Sequence, residues 1–92
     1  MALQKEFTDI YDIRHPNCYW KIPVKYGIYG GKNKLVCRIL CYPSKIIADS
    51  DSGEIGSRVF SFKPDLDSGK NFITQGYDVI RNTPEFGRAI NV

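Results

Sequence analysis

The sequence predicts an α+β domain: a small antiparallel β-sheet of four to six strands with one C-terminal α-helix packed on it. Three observations carry this expectation. Residues 19–28 alternate apolar and polar side chains with the period of a half-buried strand, and residues 34–42 are apolar on both faces, as a central strand must be. Residues 70–82 switch to helical spacing, with Phe72, Ile73, Gly76, Tyr77 and Ile80 on one face. The chain has 92 residues, a length that buries only about 60–65% of its unfolded surface and supports a single core. One domain over 1–92 is therefore expected.

The opening, residues 1–14, is largely polar but carries Phe7, Ile10, Tyr11 and Ile13. That is more apolar than a solvated tail requires. The segment is expected to be an N-terminal arm, and these four side chains are the candidate interaction residues. In the strand Tyr19–Ile28, Trp20, Ile22, Val24, Tyr26 and Ile28 lie on one face, and Lys21, Pro23 and Lys25 on the other. Pro23 cannot donate a ladder hydrogen bond, so the strand is an edge or turns that nitrogen outward. Tyr29-Gly30-Gly31-Lys32-Asn33 supplies residues that tolerate positive φ for a hairpin turn. The next strand puts Leu35, Cys37, Ile39 and Cys41 on one side and Val36, Leu40 and Tyr42 around Arg38 on the other.

Pro43-Ser44 ends that strand, residues 45–48 suggest a short element, and residues 49–54 form a polar, turn-rich loop. Alternation resumes over 58–63 with Phe60 and Phe62 facing one way. After a second polar turn at 64–69, Ser68 or Asn71 caps the helix and Thr83-Pro84 enforces its stop; Lys70, Gln75, Asp78 and Arg81 fall on its solvent face. Pro84-Glu85-Phe86 adds a turn that drops Phe86 onto the core. The predicted core is Trp20, Ile22, Val24, Ile39, Phe60, Phe62, Phe72, Tyr77 and Ile80.

Composition narrows the function classes. The net charge of +3 is too small to indicate a nucleic-acid protein by itself, but residues 1–45 hold eight basic and three acidic groups while 46–92 hold five and seven. The chain is electrically two-sided. No run of apolar residues is long enough to span a bilayer, so no membrane partner is expected, and the start Met1-Ala2-Leu3-Gln4-Lys5-Glu6 lacks a signal peptide's apolar stretch, so the chain is expected to be made and kept in a cytosol. The odd cysteine number, Cys18, Cys37 and Cys41, points to reduced thiols. In a strand Cys37 and Cys41 stand roughly 13 Å apart, too far to bridge, though either could meet Cys18 across strands.

Several motifs stop short of a site. His15-Pro16-Asn17-Cys18 has the spacing of half a zinc site, but His15 is the sole histidine and no Cys-x-x-Cys completes four ligands. Asp49-Ser50-Asp51-Ser52-Gly53 and Asp65-Leu66-Asp67-Ser68-Gly69 begin like calcium loops. Their sixth and twelfth positions are Glu54 and Phe60, and Lys70 and Gly76, where such a loop needs glycine and a bidentate acid, so both are read as turns. No nucleophile elbow, P-loop or zincin motif is present, and neither catalysis nor a cofactor is expected. Lys21, Lys25, Lys32, Lys34 and Arg38, interleaved with Tyr19, Trp20, Tyr26 and Tyr29, form an alternative nucleic-acid contact. Alternation weakens it by turning the first strand's aromatics towards the core, away from the lysines.

Two stretches carry a family likeness. Ala2-Leu3-Gln4-Lys5-Glu6-Phe7-Thr8 runs into His15-Pro16-Asn17-Cys18-Tyr19-Trp20-Lys21, and Asn71-Phe72-Ile73-Thr74-Gln75-Gly76-Tyr77 leads to Thr83-Pro84-Glu85-Phe86. Together they resemble small structural, tail- or baseplate-associated proteins of tailed bacteriophages and prophages. The likeness covers about half the chain as a pattern of core and cap positions, with Cys18 and Gly76 standing where the family has alanine. It implies a non-catalytic virion structural or assembly protein, a minor tail or baseplate component located in the particle. Its implied partners are other virion proteins or copies of itself.

Overall fold

The computed structural model describes residues 2–23, 27–31, 33–50 and 53–92. Along the chain run β1 (Leu3–Thr8), β2 (Arg14–Lys21), β3 (Ile28–Gly31), β4 (Lys34–Tyr42), α1 (Lys45–Asp49), β5 (Gly56–Phe62), α2 (Phe72–Arg81), a 3-10 turn (Pro84–Phe86) and β6 (Ile90–Asn91). All pairings are antiparallel, and the C-terminal helix packs on the sheet, so the α+β expectation holds. β4 is central. β5 pairs along one side of it, from Leu35↔Phe62 to Cys41↔Gly56, and β2 and β3 share the other. β1 follows β2 outward, and β6 closes that end through Leu3↔Asn91 and Gln4↔Ile90.

The strand expected over 19–28 is two strands on one side of β4. From the pair Trp20↔Cys41 to the pair Ile28↔Cys37 the chain advances eight positions against four on β4, so it leaves the ladder and rejoins it with an excess of four residues. Four is an even number, so side-chain parity is preserved. Pro23 sits where the ladder is broken, its carbonyl accepting from Gly27 N–H at 2.8 Å. A Cβ on Gly27 would lie 2.2 Å from that same carbonyl oxygen, which is why only glycine fits there. The break leaves Ile22 N–H without a strand partner, and it donates instead to the Tyr77 hydroxyl of α2 at 2.8 Å. Val24, also expected in the core, lies outside the described residues.

The core lies between α2 and the sheet face that carries Leu3, Cys18, Trp20, Cys37, Ile39 and Cys41. Trp20 is its hub, meeting Phe7 and Phe86 edge-on with ring centroids 5.5 and 5.0 Å apart. Trp20, Ile22, Ile39, Tyr77 and Ile80 are buried as expected, and Phe60 and Phe62 are half-buried against them. Phe72 departs from the expectation. It is the first residue of α2 and remains 41% exposed, one turn short of the sheet. Gln75 departs in the opposite sense, because its amide is buried and ties down the loop before the helix. Its Oε1 accepts from Asp65 N–H at 2.8 Å, while its Nε2 donates to the carbonyls of Asp65 and Lys70, each at 3.0 Å.

Local chemistry sets the ends of both helices. Asn71 Oδ1 caps α2 by accepting from Thr74 N–H at 2.8 Å, and the Ser44 hydroxyl caps α1 through Ile47 N–H. α1 lies on the opposite sheet face, where Ala48 meets Leu40 and Tyr42. Among the described residues no other helix lies on that face.

Within the segment expected as an N-terminal arm, residues 3–8 form a strand of the sheet. β1 is held between β2 and β6 and buries Leu3 completely. Burying a side chain of that size is worth about 1.5–3 kcal/mol, which ties the segment to the domain's own core.

Candidate functional site

The β1–β2 connection turns within five residues, Asp9 to Ile13, and Asp9 organises it. Its N–H donates to Ile13 O at 3.0 Å, its carbonyl accepts from Asp12 N–H at 3.0 Å, and its Oδ1 accepts from Tyr11 and Ile13 N–H at 2.9 and 3.0 Å. Asp12 adopts φ 62°, a left-handed conformation that short polar side chains tolerate. The second carboxylate oxygen, Oδ2, holds His15 Nε2 at 2.9 Å. The hydrogen bond from His15, aided by the Ile13 amide, keeps the Asp9 carboxyl below its ordinary value of 3.8. Just beneath, Arg14 and Glu6 pair at 2.8 Å.

This tight turn leaves its apolar side chains outside. Ile10, Tyr11 and Ile13 are 90%, 77% and 55% exposed. Three of the four candidate interaction residues therefore meet on one ordered tip. Phe7 does not join them, because it belongs to the core side of β1. Its ring leans on Trp20, lies 5.6 Å from the Arg58 guanidinium, and fills the space above Gly56, where a Cβ would come within 2.5 Å of it. The Asp9–His15 clamp is the part sequence reasoning missed. An aspartate opening a turn is a legible cue, but the histidine six residues on becomes a partner only once the hairpin closes.

The basic set divides. Lys21, Lys34 and Arg38 share the sheet face away from α2, since Lys21 opposes Leu40 and residues 34, 36, 38, 40 and 42 alternate onto one side of β4. Lys25 and Lys32 lie outside the described residues. Tyr29, opposite Val36, and Tyr19, opposite Tyr42, stand on this same face, with Tyr29 58% exposed. The expectation that aromatics and lysines occupy opposite faces therefore holds for Trp20 but not for these two tyrosines.

The thiols are free and buried. Burial pushes all three above the ordinary thiol value, Cys37 to about 11. They are chemically quiet. His15 and Cys18, the half zinc site, are separated by their partners, one clamped to Asp9 and the other in the core. Asp67 N–H donates to Asp65 Oδ1 at 3.0 Å, the Asx turn expected at that loop. Among the described residues no helix is long and apolar enough to cross a membrane.

The chain matches no protein-family model, no curated protein and no solved structure.

Proposed function

We propose that the protein is a non-catalytic structural or assembly component of a tailed-phage particle, a minor tail or baseplate protein acting through protein–protein contacts, with the β1–β2 tip as its contact surface. The observation that carries this reading is the tip itself: three large apolar side chains held out to solvent by a turn whose backbone is already hydrogen-bonded. Isolated exposed aliphatics are ordinary, but adjacent ones on a pre-ordered turn lower the entropy that binding must remove. Tyrosine among them suits an interface centre. The likeness of residues 2–21 and 71–86 to phage proteins supplies the setting.

The test is a mass-spectrometric inventory of purified particles from cells carrying the gene. The wild-type chain is expected in the particle, and a variant with Ile10→Ser, Tyr11→Ser and Ile13→Ser, folded to the same melting temperature, is expected to be depleted by about tenfold or more. Absence of the wild-type chain, or full incorporation of the variant, overturns the reading.

A second reading is favoured by one observation. The α2-free face sets Tyr29 beside Lys34 and Arg38, with Lys21 further along, a pattern suited to stacking and neutralising a single-stranded nucleic acid. Binding of a labelled single-stranded oligonucleotide that persists at about 150 mM salt and falls on Tyr29→Ala and Arg38→Ala would favour it over the particle role.

A further inference from the structure

One hydrogen bond sets the direction of every backbone group in the middle of the sheet. Arg38 N–H donates to Gly27 O at 2.7 Å, on the β2/β3 side of β4. Backbone groups alternate sides along a strand, so Cys37, Ile39 and Cys41 turn theirs towards β5, and their partners Phe60, Arg58 and Gly56 turn theirs back. The bond from Ile55 N–H to Cys41 O agrees with this sense. Ser57, Val59 and Ser61 must then point their N–H and C=O groups away from β4, at an edge where no described strand pairs. The Arg58 guanidinium folds back on Ser57 O at 2.9 Å. The N–H and C=O of Val59 and Ser61 have no partner among the described residues.

Sheet edges in soluble proteins are normally guarded by a charge, a proline, a bulge or a covering element. The other exposed edges here are so treated: β1 is covered at Leu3 and Gln4 by β6 and carries Glu6 beyond them, and β3 is four residues long and ends in two glycines. β5 runs seven residues with no bulge, and its outward-bonding positions are serine, valine and serine. Val59 is 61% exposed on the α2-free face.

We infer that β5 is a self-pairing edge, through which two copies of this chain dock antiparallel about a two-fold axis at Val59. What commits the edge to a second copy is its own symmetry. Ser57 and Ser61 flank Val59 at equal distance, so antiparallel pairing sets Val59 opposite Val59 and each Ser57 opposite the other copy's Ser61. Every one of these is a hydrogen-bonded pair. In the same register Arg58 faces the other copy's Phe60, and Lys63 comes beside the other copy's Ile55 and Glu54. No like charges oppose each other along the ladder. The axis stands perpendicular to the sheet, so both copies keep α2 on one face and the sheets become continuous. The surface is separate from the hairpin tip and does not depend on the tip's role.

Sedimentation equilibrium of the full chain over a micromolar to millimolar range tests it. The wild type is expected to show a monomer–dimer equilibrium in the micromolar range, as suits an interface of this small size, and the amides of Val59 and Ser61 are expected to gain hydrogen-exchange protection as concentration rises. Val59→Lys and Val59→Glu should each weaken dimerisation by about tenfold or more while leaving the circular dichroism unchanged, since Val59 is exposed. An equimolar mixture of the two should dimerise again, because Lys then faces Glu. Tyr11→Ser should have no effect. A wild type monomeric throughout, a Val59→Lys variant that dimerises normally, or a mixture that fails to recover overturns the proposal.

Discussion

Tyr77 links the two parts of the fold through a single atom. Its hydroxyl accepts from Ile22 N–H at the point where the strand leaves the β4 ladder, and burial lifts its own ionisation to about 12. Tyr77→Phe keeps the ring but leaves that buried amide unsatisfied, which is expected to cost about 1–3 kcal/mol. Thermal unfolding of the variant should show a melting temperature lower by roughly 4–8 °C per kcal/mol. Gly76 has a similarly local reason, since a Cβ there would meet Cys37 Sγ at 3.0 Å and Ile22 Cδ1 at 3.3 Å. Gly76→Ala is therefore expected to forfeit the helix-propensity gain of about 1 kcal/mol that alanine brings, and to recover it in a Cys37→Ala background, as a double-mutant cycle in denaturant can measure. At the tip, Asp9 should titrate below 3.8, and His15→Ala should raise it, because the His15 hydrogen bond is the largest cause of the shift. The sign follows: a carboxyl depressed in the folded state contributes stability that is present above its unfolded value and is lost as pH falls through the folded one. Carbon-detected NMR titration of the Asp9 carboxyl checks both statements.

Among the elements, α2 was the most legible. Helical spacing predicted 70–82, and the helix spans Phe72–Arg81 with Asn71 as its cap, because spacing, cap and Pro84 all mark the same ends. β4 was legible for the same kind of reason, its two apolar faces admitting only a central position. β1 was not read as a strand. Lys5 occupies a core-facing position between Leu3 and Phe7, holding its ammonium 5.2 Å from the Phe86 ring centroid, and a charge there breaks the alternation a reader relies on. The split between β2 and β3 was hidden by its even length, which leaves the alternation intact through the gap. Gln75 misled because its helical position looks outward, and only the returning loop from Asp65 to Lys70 buries it. The β1 assignment yields a clear expectation: deleting residues 1–12 removes Leu3 and Phe7 from beneath Trp20 and unfolds the domain. Loss of the circular dichroism signal and a Trp20 whose emission shifts to the red and is freely quenched by a soluble quencher would show it, whereas a folded truncation would mean that β1 is dispensable.

At the scale of the whole molecule, the sheet has one face committed to α2 and the core, and another where, among the described residues, Ala48 of α1 clusters with Leu40, Tyr42 and Tyr19. Its basic half supplies β1 to β4, which explains why Lys21, Lys34 and Arg38 collect on the face away from α2. Among the described residues, the exposed apolar groups of the β1–β2 tip, Ile10, Tyr11 and Ile13, stand close together along the chain. None of that placement was visible in the composition, since Phe7 and Ile10 look equivalent in the sequence and one is packed while the other is bare. The proposed particle role rests on the tip meeting another protein, and site-specific photo-crosslinking inside particle-producing cells tests that directly. A photoreactive phenylalanine at Tyr11 is expected to crosslink to another virion protein, while the same probe at Leu66, which is also exposed but on a different loop, gives none. Equal crosslinking from both positions, or none from Tyr11, would contradict the account.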